Sequence, residues 1–206
     1  MINFENLAVS LEQQQVILSR ASDEMLDELH TELQTQILNI DKTKRRMLMY
    51  NTRLVGQMEE EYAMRLKPLF TTHVKDLATQ YCSKFNIPRK SQDIRLIDTW
   101  VNLQKKHEYN PMHAHDGNIS WVIWVKIPYT RKQEDEQVNS KRAGETYNGK
   151  FHFVTANSSV ISDTLIDLSN EYEGRMLMFN SAMWHCVYPF YSTDEYRISI
   201  AGNIRV

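Results

Sequence analysis

The chain has little of what would place it in several common classes of protein. Its two cysteines, Cys82 and Cys186, lie far apart and form no Cys-x-x-Cys pair, so neither a zinc ribbon nor a redox pair is indicated. No stretch approaches the roughly 20 apolar residues of a membrane helix. The N-terminal residues lack the charged start and apolar run of a signal peptide. We therefore expect a soluble protein of a reducing cytoplasm.

The chain also lacks a strong excess of charge of either sign. Its formal net charge is −2 and its pI is about 6.4, which gives no general signal for nucleic acid or for a membrane surface. With 206 residues it suits one domain with an appendage, or two small domains. The oligomeric state stays open, and a homo-oligomer is one possibility.

The first 90 residues have the periodicity of helices. Leu26, Leu29, Leu33 and Ile37 recur at three- and four-residue steps, which predicts an amphipathic helix after an N-cap at Ser22. A second helix is predicted from Val74, Leu77, Tyr81 and Phe85, capped by Thr71 or Thr72, and a weaker one over 58–66. We expect residues 1–90 to be a helical segment that packs on the remainder of the chain.

From about residue 91 the pattern is that of β-strands. Strands are predicted over 94–103, 119–127, 150–154, 175–179 and 196–204, with turn residues between them and no alternating helices. Such a series indicates a sandwich or a barrel. The polar stretch 131–146 is predicted to be an exposed, mobile loop. The fold class is therefore α+β, with a mainly-β domain over 91–206 preceded by the helical segment.

Three histidines form the strongest chemical signal. His113 and His115 are two residues apart, so in extended backbone they point to the same side and can share one metal ion. His185 follows the predicted strand 175–179, at what should be the rim of the sheet. Imidazole donors suit zinc, copper, nickel and iron, so these residues alone predict a metal site without naming the metal.

An arginine follows the third histidine at a distance of twelve residues. Arg197 and Ser199 share one face of the last predicted strand. A guanidinium that points into a β-barrel is costly unless it meets an anion, and a carboxylate fits its two-pronged donor edge. The Ser199 hydroxyl can add a hydrogen bond. We expect these two residues to bind a carboxylate ligand.

This order of residues resembles the iron- and 2-oxoglutarate-dependent oxygenases built on the double-stranded β-helix, or jelly roll. That family has His-x-Asp or His-x-Glu, a distal histidine, and Arg-x-Ser about ten residues later. Here His185 and Arg197-Ile198-Ser199 match, whereas His113-Ala114-His115 departs from the first element. The resemblance implies a jelly-roll fold, iron(II) and 2-oxoglutarate as cofactors, and hydroxylation of a substrate with release of succinate and CO2.

Longer motifs are similar to those of oxygenases encoded by tailed phages, notably phages of cyanobacteria, which would act in the host cytoplasm. The matching segments are Trp100-Val101-Asn102, Glu108-Tyr109-Asn110-Pro111, His113-Ala114-His115-Asp116-Gly117, Lys126-Ile127-Pro128-Tyr129, 51–56 and 60–62. They mark the family more specifically than they mark a substrate.

The departure at His113-Ala114-His115 leaves three ligand sets open. All three histidines bind the metal, or Asp116 replaces His113 or His115, or water completes a set that is one residue short. Regular strand geometry favours the first, because Asp116 would point away from His115. Further residues that could line the pocket or support the ligands are Asp116, Trp124, His152 and Trp184.

Two other functions fit the same residues. One is a cupin-like dioxygenase or isomerase that binds metal through three histidines and uses no keto acid. The other is a phage binding or structural protein whose metal site does no chemistry. Arg197 distinguishes the leading function from the first, because a cupin without a keto acid does not need it. A closed shell of four ligands with no open position would favour the second. The primary substrate has no signal in the sequence, and the stretch 131–146 is the expected specificity element.

Overall fold

The computed structural model of the protein describes residues 2–89, 94–142, 144–157 and 160–206. The helices are α1 (Phe4–Glu12), α2 (Asp23–Leu33), α3 (Lys42–Arg46), α4 (Pro68–Lys84) and α5 (Arg131–Asp135). The strands are β1 (Ile17–Arg20), β2 (Glu61–Ala63), β3 (Arg95–Gln104), β4 (Asn110–His113), β5 (Ile119–Lys126), β6 (Phe151–Asn157), β7 (Val160–Ile166), β8 (Arg175–Asn180), β9 (Trp184–Val187) and β10 (Arg197–Arg205).

The strands form two antiparallel sheets. The larger sheet has the order β1-β8-β5-β10-β3-β2, and the smaller has the order β4-β9-β6-β7. Aromatic side chains join them, with Trp124 and Phe179 of the larger sheet packed against Phe151 of the smaller one. The prediction of a mainly antiparallel β protein with additional helices is confirmed.

The continuous apolar run of β5 is explained by burial on both faces of the larger sheet. Trp121, Ile123 and Val125 belong to the core beneath the helices, whereas Val122 and Trp124 belong to the core between the sheets. A strand that is buried on one face only would alternate apolar and polar residues. Residues of α2 and α4 belong to the first of these cores. Both faces of β5 are therefore buried, one beneath the helices and the other against the smaller sheet.

The two main predicted helices are present, with one cap placed correctly. Ser22 caps α2 by accepting a hydrogen bond from the backbone N–H of Met25, as expected. The helix continues as a π-helical turn over Gln34–Leu38. The N-cap of α4 is Lys67, not Thr71 or Thr72, because Pro68 occupies the first helical position, where its missing N–H costs nothing.

Residues before position 90 also contribute two short strands that the helical pattern did not predict. β1 pairs with β8, and β2 pairs with β3, so each lies at one edge of the larger sheet. The weak helix predicted over 58–66 is wrong, because Glu61–Ala63 forms β2. The predicted domain boundary between residues 90 and 91 lies outside the described residues.

The polar stretch 131–146 is more ordered than predicted. Thr130 and Gln133 form a reciprocal capping box at the start of α5. The carboxylate of Glu134 is buried and accepts hydrogen bonds from the backbone N–H groups of Tyr191 and Ser192. The prediction of an exposed loop is therefore wrong for this part, since a buried carboxylate fixes the segment to the loop before β10.

The five predicted strands are all present, and β4, β7 and β9 were missed. β4 and β9 have only four residues each, too few for a period-2 pattern. Within the described part of the chain, no helix is both long enough and apolar enough to cross a bilayer.

Candidate metal centre and pocket

The three predicted histidines meet at one place, which we call the histidine centre (His113, His115 and His185). One nitrogen of each ring lies within 4.8 Å of the others. The distances between ring centroids are 4.3 Å for His113 and His185, 4.8 Å for His113 and His115, and 5.1 Å for His115 and His185. The predicted approach of the three rings is present, although His113 ends β4 and His115 lies beyond the strand.

Backbone pairing sets the relative positions of the three rings. His113 and His185 face each other across the β4–β9 pair. The backbone N–H of His115 donates to the carbonyl of Ser181, which ties the residues after β4 to the turn before β9. Behind the centre, the ring of Phe151 stacks on His185 at 5.5 Å, and Trp100 lies 5.5 Å from His115. These aromatic rings limit how the imidazoles can rotate.

The hydrogen bonds of two rings fix which nitrogen faces the centre. Nδ1 of His113 is 2.7 Å from the carbonyl of Pro111, and Nδ1 of His185 is 2.9 Å from the carbonyl of Met183. A carbonyl can only accept, so each Nδ1 carries the proton and each Nε2 keeps its lone pair. Metal-binding histidines are commonly oriented in this way by a backbone carbonyl.

Burial keeps the centre uncharged. It lowers the pKa of His185 to about 3 and that of His115 to about 4, with a further contribution from the neighbouring His113. The pKa of His113 is also lowered by burial. Neutral imidazole is the form that binds metals, so the rings need not lose protons first.

The donor set fits a metal with open coordination positions. Among the described residues, the cluster contains these three histidines and no carboxylate. Asp116 is exposed and is not part of it, although it lies beyond the end of β4 and not on the regular strand assumed in the prediction. Three protein ligands leave room for a small molecule on the metal, as in catalytic sites, whereas structural zinc sites have four.

The histidine centre opens into a pocket between the two sheets, with a cavity volume of about 80 Å³. Trp124, Phe151 and Phe179 form apolar walls, and Arg197 and Ser199 lie on the wall formed by the larger sheet. Trp124 therefore lines the pocket as predicted.

Arg197 is buried, with 2% of its surface exposed, and its guanidinium is fully occupied by protein oxygens. Nε and Nη2 donate to Oε1 of Gln104 at 3.1 and 2.6 Å, and Nη2 also donates to the carbonyl of Tyr188. Nη1 donates to the Tyr129 hydroxyl at 2.6 Å and to the carbonyl of Gly149 at 3.0 Å. The five N–H groups thus all have acceptors, and each acceptor is neutral.

These hydrogen bonds correct the expectation, drawn from the sequence, that Arg197 needs an anion to satisfy its donors. We expected an unpaired guanidinium that requires an anion, but the hydrogen-bonding demand is met within the protein. The positive charge itself remains, because none of the described carboxylates forms a salt bridge with it. An anion would therefore be attracted to the group, but it would have to replace an acceptor that is already present.

Ser199 lies in a polar row across the larger sheet. The β2–β3 and β3–β10 pairings place Glu61, Asn102 and Ser199 side by side, and Nδ2 of Asn102 donates to Oγ of Ser199 at 3.1 Å. Strand pairing puts directly opposite residues on the same face of a sheet. All three residues line the pocket.

Besides the exposed Asp116, two of the predicted pocket residues lie elsewhere. His152 is on the other face of β6 from Phe151 and Phe153, where it hydrogen-bonds to Asp163 at 3.2 Å. Trp184 is 55% exposed and does not line the pocket. Both errors follow from strand alternation, since each residue is adjacent in sequence to one that faces the pocket.

Several pocket residues were not predicted, although part of the signal was present. Trp100, Asn102 and Gln104 occupy alternate positions of β3. A prediction that one of them faces the pocket would therefore have implied the other two. Glu61 could not be found this way, because its segment was predicted as a helix. The roles of Gln104 and Tyr129 depend on contacts between distant parts of the chain.

The sequence of residues 98–203 matches the model of a protein family described as "Putative 2OG-Fe(II) oxygenase", where 2OG stands for 2-oxoglutarate. The match covers the histidine centre, Arg197 and most of both sheets. No curated protein gives a significant sequence match to the chain.

Solved structures with a similar fold include several enzymes of this kind. A prolyl-4-hydroxylase from Pseudomonas putida has 12% identity and a TM-score of 0.59, with 97% of each chain covered. A viral collagen prolyl hydroxylase from Paramecium bursaria Chlorella virus 1, in complex with 2-oxoglutarate, has 13% identity and a TM-score of 0.54, covering 93% of this chain and 97% of that one. HygX from Streptomyces hygroscopicus, with nickel and 2-oxoglutarate bound, has 12% identity and a TM-score of 0.51, covering 100% and 87%. At these identities the likeness concerns the fold alone.

Proposed function

Because this chain belongs to the 2OG-Fe(II) oxygenase family, an oxidoreductase family whose cofactors are iron(II) and 2-oxoglutarate, we propose that His113, His115 and His185 hold the iron. We further propose that Arg197 receives the distal carboxylate of 2-oxoglutarate. When bound, the iron and the keto acid supply oxygen activation coupled to the conversion of 2-oxoglutarate into succinate and CO2. The proposed reaction is hydroxylation of a C–H bond in a substrate.

The observation that carries this proposal is the state of the three imidazoles. They are close together, their pKa values are lowered, and two of them donate Nδ1–H to a backbone carbonyl. Nε2 of His113 and Nε2 of His185 are therefore unprotonated in the metal-free chain, and the backbone hydrogen bonds hold both rings in place. Hydrogen bonds from a ligand histidine to the protein also raise its basicity and fix its orientation.

The proposed role of Arg197 requires an exchange of hydrogen bonds. Oε1 of Gln104 accepts from Nε and from one N–H of Nη2, which is the edge that a carboxylate engages with two oxygens. For a carboxylate to bind there, this amide oxygen must leave. The exchange replaces a neutral acceptor with a charged one, and a charge-assisted hydrogen bond is about twice as strong as a neutral one.

Aromatic side chains form much of the remaining wall of the pocket. Trp124 and Phe151 are almost fully buried and pack edge to face, with ring centroids 5.8 Å apart. Ser199 offers a hydroxyl beside Arg197 on the same strand face. In a water-poor pocket the electrostatic interactions of bound groups are stronger than in water.

Other parts of the proposal concern the fold and the origin of the chain. We propose that strands β3 to β10 form a double-stranded β-helix over residues 91–206. Residues 1–90 would pack on it through their helices and add β1 and β2 to the edges of the larger sheet. The contacts of α2 and α4 with the larger sheet support this arrangement. The motifs similar to phage oxygenases support a phage origin and action in the host cytoplasm.

The metal ligands are tested by anaerobic calorimetry of iron(II) binding to the full chain. His185→Ala should weaken iron binding more than about a hundredfold, because removal of a residue that merely orients a ligand already costs 10- to 100-fold. His152→Ala is the matched control, since it removes a buried histidine of the same sheet that lies outside the pocket. Equal iron affinity of the parent and His185→Ala would exclude His185 as a ligand.

A cupin-like function, with three histidines and no keto acid, remains the competing proposal. The observation in its favour is that the donors of Arg197 are all satisfied by the protein. An iron-loaded chain that does not bind 2-oxoglutarate would support this alternative and contradict the leading one.

A further inference from the structure

The pocket contains a cluster of oxygen acceptors that neither the histidines nor Arg197 accounts for. We call it the Glu61 cluster, and it consists of Glu61, Asn102 and Asn110. Both carboxylate oxygens of Glu61 and the amide oxygens of Asn102 and Asn110 are buried and have no hydrogen-bond partner among the described residues. The three residues come from β2, β3 and the start of β4, and all line the pocket.

Glu61 is the dominant member because it is a carboxylate with 0% of its surface exposed. Burying such a group without a partner is costly. Burial, together with the nearby Glu108, raises its pKa to about 7. No described residue forms a salt bridge with it. Arg53 also lines the pocket, but its guanidinium lies 5.4 Å from the ring of Tyr50 and does not influence the pKa of Glu61.

The acceptors are also close to one another. A Cβ atom added to Gly56 would lie 2.5 Å from Oε1 of Glu61 and closer still to Oδ1 of Asn110. If the Asn110 amide is turned so that its NH2 group faces Glu61, one carboxylate oxygen gains a partner. The other oxygen and Asn102 Oδ1 then remain unpaired. The absence of a side chain at residue 56 keeps this space open.

We propose that the Glu61 cluster binds the primary substrate through a cationic, N–H-bearing group, an ammonium or a guanidinium. This inference rests on the proposed function, since it assigns the substrate class of the same pocket. Several convergent acceptors without a protein donor require an occupant that donates several hydrogen bonds. Above about pH 7, where the Glu61 carboxyl is ionised, its charge adds the requirement of a cation, and a neutral alcohol or amide does not meet it.

The opposite charges of Arg197 and Glu61 would direct the cosubstrate and the substrate to different parts of the pocket. Arg197 attracts the anionic cosubstrate, whereas Glu61, with Glu108 nearby, repels it and attracts a cation. A site built to hydrogen-bond a polar group rejects analogues that lack the group, because its own buried acceptors are then left unpaired. The cluster would thus determine which substrate is accepted.

The test is a ligand-observed NMR titration of the full chain loaded with zinc(II) and 2-oxoglutarate. The probes are n-butylammonium and n-butylguanidinium, with 1-butanol as a donor without charge and tetramethylammonium as a charge without donors. We expect one or both of the first two to bind and the other two not to bind. Glu61→Gln should weaken the binding about tenfold to a hundredfold, the range for losing a charged hydrogen-bond partner.

Two further variants make the result independent of a folding defect. Glu59→Gln removes the same charge from an exposed position two residues away and should leave binding unchanged. Gly56→Ala adds a methyl group against Glu61 and Asn110 and should also abolish binding. Equal binding of butylammonium and butanol, no binding of either cationic probe, or an unchanged affinity in Glu61→Gln would overturn the inference.

The same titration without zinc and 2-oxoglutarate separates this inference from the proposed function. If the chain fails to bind 2-oxoglutarate but still binds the ammonium probe through Glu61, the cosubstrate assignment fails and the Glu61 cluster stands. If it binds zinc and 2-oxoglutarate but neither cationic probe, the proposed function stands and the cluster has another role.

Discussion

Arg197 and Glu61 are charged side chains that lie almost fully buried in one pocket, yet their surroundings differ completely. Each of the five N–H groups of Arg197 donates to a protein oxygen. Neither oxygen of Glu61 has a partner among the described residues. The protein therefore satisfies the first group by itself and leaves the second to whatever occupies the pocket.

The difference indicates how each ligand would bind. At Arg197 the guanidinium is held in a fixed orientation, and an incoming carboxylate exchanges with Gln104. The guanidinium is thus already oriented before the ligand binds, but the ligand must displace the amide oxygen of Gln104. At Glu61 nothing has to be displaced except water, and the ligand supplies every donor. The histidine centre resembles Glu61 in this respect, because it gathers three ring nitrogens at one place without a protein carboxylate among the described residues.

The largest effect that we expect concerns the Arg197 region. Arg197→Ala should weaken 2-oxoglutarate binding by about 1.5–3 kcal/mol, or roughly tenfold to more than a hundredfold, because a charge-assisted pair is lost. Arg197→Lys should recover only part of this, since a point charge does not reproduce a two-pronged contact. Calorimetry on the iron-loaded variants measures both affinities.

Iron binding by the same variants is the internal control, and it should be unchanged because Arg197 is not a ligand. If 2-oxoglutarate binds the parent and Arg197→Ala equally well, Arg197 has only a structural role, through its hydrogen bonds within the protein. Arg197 would then stabilise the fold, whereas Glu61 would bind a ligand.

A smaller effect is expected from the titration of Glu61. Its pKa is about 7 in the folded chain, above the ordinary value of a glutamate, because of burial. Between about pH 4.5 and pH 7 the folded chain therefore keeps a proton that the unfolded chain has lost. The free energy of unfolding should fall as the pH rises through this range, by at most about 1.4 kcal/mol per pH unit from this group.

Urea unfolding of the metal-free parent and of Glu61→Gln, at several pH values, measures this contribution. The parent should lose more stability than the variant as the pH rises from about 5 to 7, because glutamine does not titrate. Parallel curves for the two proteins would mean that the Glu61 carboxyl is hydrated in the free chain and does not contribute to the pH dependence of stability.

The smallest expected change in 2-oxoglutarate affinity concerns Gln104. In Gln104→Leu, Nε and one N–H of Arg197 lose their acceptor in the free protein, so the free chain should be less stable by about 1–3 kcal/mol. Because a bound carboxylate restores the acceptor and displaces nothing, 2-oxoglutarate affinity should rise a few-fold. Thermal unfolding with and without 2-oxoglutarate shows the two changes together.

The double variant Arg197→Ala/Gln104→Leu makes this measurement specific. Without Arg197 the Gln104 substitution should no longer improve 2-oxoglutarate binding, so the two changes should not be additive. A lower 2-oxoglutarate affinity in Gln104→Leu would show that Gln104 helps to bind the ligand and does not compete with it.

The strand pattern predicted the sheets because apolar periodicity is local. The run 119–127 is buried on both faces. His113 ends β4 and His115 lies after it, so strand alternation alone does not account for the approach of their rings. The strands β1 and β2 were missed because three or four residues carry no period. Their formation depends on pairing with β8 and β3, which are distant in sequence.

The chemistry of the pocket was predicted unevenly for the same reason. The histidine centre was found because two of its members are neighbours in sequence. The partners of Arg197 come from β3, from the segment before α5 and from the loops around β6 and β10, so an inward arginine was predicted without its acceptors. Glu61 was missed because its strand was predicted as a helix.

The central claim is that the histidine centre and Arg197 together bind iron(II) and 2-oxoglutarate. Its most direct test is an anaerobic spectral titration of the iron-loaded chain with 2-oxoglutarate, following the weak visible band that appears when a keto acid chelates iron. We predict a saturable band in the parent, a saturation point at a higher 2-oxoglutarate concentration in Arg197→Ala, and no band in His185→Ala. A parent chain that binds iron and gives no band at saturating 2-oxoglutarate would contradict the account.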